Sequence, residues 1–581
     1  MTAAPAPGTT PGTTAANAPV EAFDLVVVGA GVGGLTAALV ATLEGRRALI
    51  IERAPTVGGT SARSSGTVWI PNNPDMVRNG MTGDHAAALE YLDALVGGRA
   101  GRDLREAYLA AGPDMLRYLE ALTDVRFRPY PAQADYRQEL PGAATGWRAL
   151  EPLPFDGRTL GDRFAEVAPP LPELMLFARL GGMMVTRGEV ARLLRLGRSW
   201  DALALGLRLV ARFARDRMRY RRGTRLVLGN ALVARLYRNV IDRGATTWLS
   251  TSVVRLVRDG GRVQGLVALR DGREVTVRAR DGVVLAGGGF PAGRELRERY
   301  LPAPVAQHTA AAEGSTGATL NLALEVGATM GPPGEDNALW FPSSIWTRPD
   351  GSTAVYPHIV LDRGKPGLIA VNAAGRRFVN EAVSYHDFTR AMYRAHLETS
   401  SIPAMLICDR RFLWRYGLGL IRPHTPFLRK YISGGYLHRS RTLEGLARQI
   451  NVDPAGLVES VRRHNAFARS GVDEEFGKGQ NAYDRGTGDP DHHPNSCIGP
   501  IDRPPYYAVA VVPTPLGTSL GLLTNTSAQV MDEAHEAIPG LYACGNDMHS
   551  AFGGEYPGAG SQLGHAMTFG YLAARHAAAG R

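Results

Sequence analysis

The residues of this sequence that could do chemistry gather at its two ends. Near the start, Gly29-Ala30-Gly31-Val32-Gly33-Gly34 follows an apolar run, Leu25 to Val28, and precedes a helical pattern. A second apolar run, Ala48 to Ile51, ends in Glu52. Strand, glycine turn, helix, strand and acid in that order suit a dinucleotide. Gly29 makes the turn, Gly31 lets the backbone approach a pyrophosphate, and Gly34 lets the helix pack on the strand. The helix N-terminus faces the phosphates, and Glu52 accepts ribose hydroxyls, which argues against a 2′-phosphate. Near the end, GGEYPGAGSQLGHAMTFGYLAAR runs from Gly553 to Arg575. It sets Tyr556, a phenol, among glycines and a proline directly before an amphipathic helix that starts near Ser561.

Three further stretches say which dinucleotide. After Glu52 and Arg53 come Gly58, Gly59, Thr60 and Ser61, then Ser64, Ser65 and Gly66. These small residues suit an extended cofactor passing close to the backbone, and the loop resembles the flavoprotein pattern. Ser252 to Val284, which includes Val254, reads as short strands with turns at Asp259-Gly260-Gly261 and Asp271-Gly272. It leads into a small-residue strand end at Ala286, Gly287 and Gly288. Ile538 to Asn546 resembles a C-terminal strand whose Gly545-Asn546 end reaches a flavin. Gly560, Ser561, Gln562 and Leu563, where the last helix begins, complete the expected FAD contacts. The loop GGTSARSSG has no histidine for covalent attachment, so FAD is expected to be non-covalent.

Those pieces need a scaffold, and 581 residues suggest two domains. The expected class is α/β: a Rossmann-like FAD-binding domain, split in sequence, with an inserted α+β substrate and catalytic domain. The expected divisions are a disordered tail at 1–21, a first FAD-binding segment at 22–335, the substrate domain at 336–515, and a closing FAD-binding segment at 516–581. An insertion at about 170–228 is basic and amphipathic. Ala191 to Arg225 holds eleven arginines and two aspartates. It reads either as a solvated helical hairpin or as a peripheral membrane contact, with arginines on headgroups and Leu, Trp and Phe partly inserted. No apolar run reaches the length of a membrane span. Net charge is +10, but no nucleic-acid motif accompanies it. Cys408, Cys497 and Cys544 have no metal or disulfide spacing, so no metal is expected and a reducing, cytoplasmic compartment is favoured.

Taken together, VVVGAGVGGLTAA, GGTSARSSGTVWIPNNP, RRFVNEAVSYHDFTRAMY and YPGAGSQLGHAMTFGYLAA resemble the 3-ketosteroid Δ1-dehydrogenases. These are FAD enzymes of the fumarate-reductase/succinate-dehydrogenase flavoprotein group. The resemblance implies C1–C2 desaturation of a 3-oxosteroid A-ring: C2 loses a proton and C1 a hydride to flavin N5. It implies roles for four residues. Tyr556 and the Gly560 N–H donate to the C3 carbonyl oxygen, Tyr385 abstracts the C2 proton, and Tyr136 supports that base, with Tyr130 the second choice for the support. Two donors on a ketone oxygen stabilise the enolate that forms when the adjacent C–H is lost. His386, His549 and His565 are expected to be structural. Trp340, Phe341, Trp414 and Tyr416 are expected to suit an apolar ring system. An electron acceptor such as a quinone, and a location in the cytoplasm or at the inner membrane, go with this reading. The alternatives on the same scaffold are a 3-oxosteroid 4-dehydrogenase or a fumarate-reductase-like enoate reductase. The family usually has Pro where Ala559 stands, and Glu555 brings a carboxylate beside Tyr556.

Overall fold

The computed structural model describes residues 20–193, 199–359 and 361–580. Residues 1–19 of the expected tail lie outside the described residues. Val20 and Glu21 fall within that expected tail too, yet they open the first strand, because they pair with Thr276 and Val277.

The strand Val20–Val28 lies in parallel between Ala48–Ile51 and Arg273–Leu285. Thr246–Trp248 extends the sheet beyond Ala48–Ile51, and Ala537–Ala543 extends it beyond Arg273–Leu285, both in parallel. Both faces are covered, which is why these strands read as continuous apolar runs rather than alternating ones. Leu25, Val26 and Val27 are buried, as are Leu49 and Ile50. The strands Ser252–Asp259 and Arg262–Arg270 form an antiparallel meander that feeds Arg273–Leu285.

The two ends of the chain meet on this sheet. The helix Val32–Leu43, capped at Gly31, crosses the C-terminal helix Ser561–Ala579 at glycines. A Cβ on Gly33 would lie 3.1 Å from the Ala566 carbonyl oxygen, and one on Gly570 would lie 2.6 Å from the Gly33 carbonyl oxygen. The crossing therefore requires hydrogen side chains, and it delivers the Tyr556 turn to the nucleotide turn.

A second sheet runs Thr353–Pro357, Ala338–Thr347, Tyr506–Thr518, Ala404–Asp409 and Leu368–Val371, with His438–Ser440 paired to Tyr506–Thr518. The division expected between residues 515 and 516 falls inside the strand Tyr506–Thr518, because its pairing with Ala338–Thr347 continues to Thr518. In the arginine-rich insertion the helices Arg187–Leu193 and Trp200–Arg217 flank residues 194–198, which are outside the described residues. Ala202, Leu209 and Phe213 face inward, Leu209 and Phe213 onto Met183. Trp200, Leu203, Leu207 and Val210 lie outward at helical spacing. Among the described residues no helix is long and apolar enough to cross a membrane.

Candidate active site

The nucleotide-binding elements form a cradle that fits FAD. Gly29 has φ +110° and Gly34 packs behind it: a Cβ at either position would strike backbone oxygen, at 2.2 Å (Ala286) and 2.0 Å (Gly29). By contrast, a Cβ on Gly31, Gly59 or Gly545 would meet its nearest atom at 3.5, 3.9 and 3.5 Å. No protein atom would be struck at those three positions; positive φ accounts for glycine at Gly59 (+46°) and Gly545 (+65°), and at Gly31 the missing side chain leaves the backbone free for a close approach by a ligand. The carboxylate of Glu52 stands at the strand end, accepting from the backbone N–H of Ala30 and Ala54, both at 2.9 Å. Burial pushes its pKa up, against those two hydrogen bonds. Ser61 Oγ accepts from the Val32 N–H at the start of the first helix (3.2 Å), and Ser64 Oγ donates to the Ser61 carbonyl (2.7 Å). Ser65 Oγ donates to Thr67 Oγ1, and Thr60 Oγ1 accepts from the Ala312 N–H. Arg53 donates to the Gly314 carbonyl and to Thr316 Oγ1. At the far end, Asn546 lies against Gly289 and Gly517. A narrow cavity is lined by Leu339, Thr518, Gly545, Asn546, Ser561 and Gln562. Gly287 and Gly288 pack on Thr319 and Ser315, and Leu563 packs on the core. Val254 is the bulged residue where the pairing of its strand shifts register; it is exposed, and Val253 is the neighbour packed on the core.

Three tyrosines from three regions of the chain meet in one buried cluster. Tyr136, Tyr385 and Tyr556 pack with Tyr483, Leu339, Phe341, Ala134 and Ala559, bordered by Ile359 and Leu516. The Tyr136 hydroxyl donates to the Tyr385 hydroxyl at 3.0 Å. The Tyr556 ring lies 5.4 Å from each of the other two. Each phenol has its own support. Tyr136 is held because its backbone N–H donates to the Pro557 carbonyl (3.0 Å), which also accepts from the Tyr91 hydroxyl (2.7 Å). Its neighbour Asp135 accepts from Trp69 Nε1 (2.7 Å) and Arg148 Nη1 (2.6 Å). Tyr385 is the first residue of the helix Tyr385–His396, capped by the Ser384 side chain. Buried Arg363 donates to the carbonyls of Glu381 (2.9 Å) and Val383 (3.2 Å) just before it, and to that of His358 (2.8 Å). Tyr556 sits in a loop buried from Ala551 to Ala559, with Gly558 under the Trp69 indole. Gly560 has φ +95°, and a Cβ there would lie 2.3 Å from the Thr67 carbonyl oxygen. Among the described residues the Gly560 N–H donates to no protein acceptor.

Burial raises all three phenol pKa values: those of Tyr136 and Tyr385 go well above the ordinary tyrosine range, and that of Tyr556 to about 12. Desolvation penalises the phenolate, so each hydroxyl is a donor at neutral pH unless charge arriving from a ligand is shared through the cluster. Burial also keeps the neighbouring histidines neutral. His386 is held well below its usual range, and His549 and His565 at about 4 and about 3. Glu555 does not reach the phenols as a free carboxylate: it accepts from Arg390 Nη1 (2.8 Å) and pairs with Arg99 (3.2 Å).

Several expectations about the ring-binding surface do not hold. Of Trp340, Phe341, Trp414 and Tyr416, only Phe341 joins the tyrosine cluster. Strand alternation turns Trp340 the other way, onto Asp336 and Tyr393. Trp414 is exposed, and Tyr416 bonds Asp489. Tyr130 lies outside the cluster, half-buried. Sequence reasoning missed Tyr483, Leu339, Ile359 and Leu516, which carry no motif. It also missed Asp547, which accepts from the Gly287 N–H (2.6 Å) and the Gly289 N–H (2.8 Å) and ties the two small-residue loops together. Its place directly after Gly545-Asn546 was the available signal.

A nucleotide cradle opposite a buried tyrosine cluster defines a flavoprotein oxidoreductase site. The FAD binding domain family matches residues 24–563. The chain is 36% identical to the 3-oxosteroid 1-dehydrogenase of Mycobacterium tuberculosis, over 96% of this chain and 99% of that one. It is 35% identical to the 4-oxocyclohex-2-ene-1-carboxylate 5-dehydrogenase of Sinomonas cyclohexanicum, over 96% and 94%. The solved 3-ketosteroid Δ1-dehydrogenase of Sterolibacterium denitrificans, in complex with 1,4-androstadiene-3,17-dione, superposes with a TM-score of 0.90 at 38% identity, covering 97% of this chain and 100% of that one. The chain belongs to the FAD-dependent 3-oxosteroid 1-dehydrogenase family, and its cofactor is FAD.

Proposed function

We propose that this protein desaturates the C1–C2 bond of a 3-oxosteroid. The observation that carries the reading is the packing of Tyr136, Tyr385 and Tyr556 in one buried cluster with Ala559, next in sequence to the open Gly560 N–H, and with Leu339, which lines the cavity shared with Gly545, Asn546 and Ser561. The Tyr556 hydroxyl and the Gly560 N–H donate to the C3 carbonyl oxygen. Charge moving onto that oxygen acidifies the C2–H. Tyr385, having first lost its own proton to solvent, takes the C2 proton as a phenolate, and Tyr136, donating to it, stabilises that phenolate before the transfer. Phe341, Leu339, Ile359 and Leu516 border the apolar rings. Bound FAD, held by the glycine turn from Gly29 to Gly34, by Glu52 and by the loops at 58–66 and 545–546, supplies the hydride acceptor. In this reading the segments from Val20 to residue 335 and after Thr518 hold the cofactor, and residues 336–518 cover the substrate. Buried Arg363 and Arg390 are engaged with carbonyls, Asp336 and Glu555, which speaks against a dicarboxylate clamp of the enoate-reductase kind.

The near-equal likeness to a 4-oxocyclohexenecarboxylate dehydrogenase favours a second reading, a single-ring ketone acid, by the same chemistry. The holoenzyme, mixed anaerobically with 4-androstene-3,17-dione, is expected to bleach its flavin and yield the 1,4-diene. Bleaching by 4-oxocyclohexanecarboxylate alone would establish the second reading, and a 4,5-desaturated product from a saturated 3-oxosteroid would establish the 4-dehydrogenase.

We further propose a peripheral membrane contact and a quinone-class electron acceptor, with the enzyme on the cytoplasmic side. The support is the outward face of Trp200–Arg217: Trp200 is 86% exposed and Leu207 64%, with exposed Arg208, Arg215 and Arg217 on the same helix. Arginines near an anionic surface contribute roughly 1 kcal/mol each. The protein is expected to float with vesicles containing about one-third anionic lipid, and Trp200→Ser/Leu207→Ser to lose that binding while turnover of soluble substrate stays unchanged. Equal flotation of the double variant would remove this face as the contact.

A further inference from the structure

The arginine-rich insertion sends one side chain to the segments that hold the tyrosine centre. Arg187 opens the helix Arg187–Leu193, whose start is pinned by Glu189, an acceptor for the Thr186 N–H (2.8 Å) and Arg225 Nη2 (2.7 Å). The guanidinium then leaves the insertion and meets three other segments. Nη1 donates to Gln133 Oε1 at 3.2 Å, Nη2 to Thr67 Oγ1 at 3.4 Å, and Nε lies 3.7 Å from Glu151 Oε1. Its carbon sits 5.6 Å from the centre of the Tyr130 ring. Two of these partners lead directly to the site. Gln133 is three residues ahead of Tyr136, and the Thr67 carbonyl is the group against which Gly560 is packed.

We propose that Arg187 is a positioning residue for the tyrosine centre: it locks the Thr67 and Gln133 segments that place Gly560 and Tyr136, and it sets a positive charge beside the phenols. This rests on the function proposed above. The planar fork matters, because it serves two acceptors on different segments at once. The other groups facing the phenols do not bridge the Thr67 and Gln133 segments, although Arg363 brings charge of the same sign. Tyr483 shares the cluster, and Arg363, fully engaged with carbonyls, acts on Tyr136 and Tyr483. Asp387 and Asp484 act in the opposite sense on Tyr483. The His386 ring, 5.9 Å from that of Tyr556, is kept neutral by burial. Arg187 draws down the pKa of Tyr136, Tyr483 and Tyr556, against the larger upward effect of burial. The insertion thereby becomes a component of the catalytic unit.

The test is the pH profile of steady-state turnover on 4-androstene-3,17-dione, using FAD-loaded wild type, Arg187→Met, Arg187→Gln and Arg187→Lys. Removing the cation weakens Tyr136 as the donor that stabilises the Tyr385 phenolate, so in the Met and Gln variants the rise of kcat is expected to move to higher pH by roughly half a unit. At pH 7 that is a loss of about threefold, with FAD content unchanged. Lys keeps the charge and is expected to restore the wild-type midpoint, leaving only a raised KM from the lost fork. A profile that coincides with wild type in both Met and Gln, or a Lys variant displaced as far as they are, overturns the proposal. If Met fails to retain FAD, the Gln and Lys pair decides. A wild type that no 3-oxosteroid reduces would instead overturn the proposed function, which separates the two failures.

Discussion

Tyr385→Phe is expected to keep FAD at full occupancy and to lose turnover by about 10²–10⁴-fold, the usual contribution of a positioned general base. The substitution removes one hydroxyl from a packed ring, so the ring contacts with Phe341 (4.6 Å) and Tyr556 (5.4 Å) survive. What disappears is the atom that receives the C2 proton and the acceptor for the Tyr136 hydroxyl. KM should change little, because the base makes its decisive interaction only as the proton moves. The pH dependence has a fixed sign. Burial raises the Tyr385 pKa well above its ordinary value, so the charged base is scarce at neutral pH and kcat climbs as pH rises toward that pKa. In Tyr385→Phe the climb should vanish along with the rate. Wild-type-like turnover in this variant, measured by product formation, would reassign the base.

Tyr556→Phe is expected to cost about 10²–10³-fold in kcat/KM, the scale of one lost oxyanion-hole donor. The phenol at Tyr556 has a pKa raised to about 12, so it stays protonated and donating over the whole working range. Its loss leaves the Gly560 N–H as the single donor to the C3 oxygen. Because both tyrosines act on the same developing charge, Tyr556→Phe combined with Tyr385→Phe should lose less than the product of the two single effects. A ligand that resembles the enolate, such as a phenolic A-ring steroid, should weaken with Tyr556→Phe more than the substrate does. Equal weakening of both would mean that Tyr556 serves ground-state binding only.

Local signals and distant pairings divide cleanly in this chain. The glycine turn from Gly29 to Gly34, the run from Ala48 to Glu52 and the meander turns at 259–261 and 271–272 were legible because each rests on neighbours in sequence. Backbone conformation, helix start and strand burial are set within a few residues, and the strand Ala48–Ile51 appears with the expected bounds. The family likeness carried the tyrosines to within hydroxyl contact in the case of Tyr136 and Tyr385, residues that no local pattern connects. The aromatic quartet around Trp340 shows the opposite case. Which way a strand residue turns depends on the register against Tyr506–Thr518, and a one-residue change exchanges Trp340 for Phe341.

From its own letters the chain declared an α/β fold and a dinucleotide turn, because those follow from short-range geometry at glycines, acids and turns, while FAD and the ketone-desaturating family came from the resemblance of its motifs to known enzymes. Only the folded chain decided which side chains stand together. The contact of Arg187 with Thr67 and Gln133, the clasp of Asp547 on Gly287 and Gly289, the turning of Glu555 to Arg390, and the packing of Tyr483 beside Tyr136 all join residues at least 54 positions apart. Such contacts are set by how the helices cross and the sheets register, and by burial that no local stretch of sequence encodes.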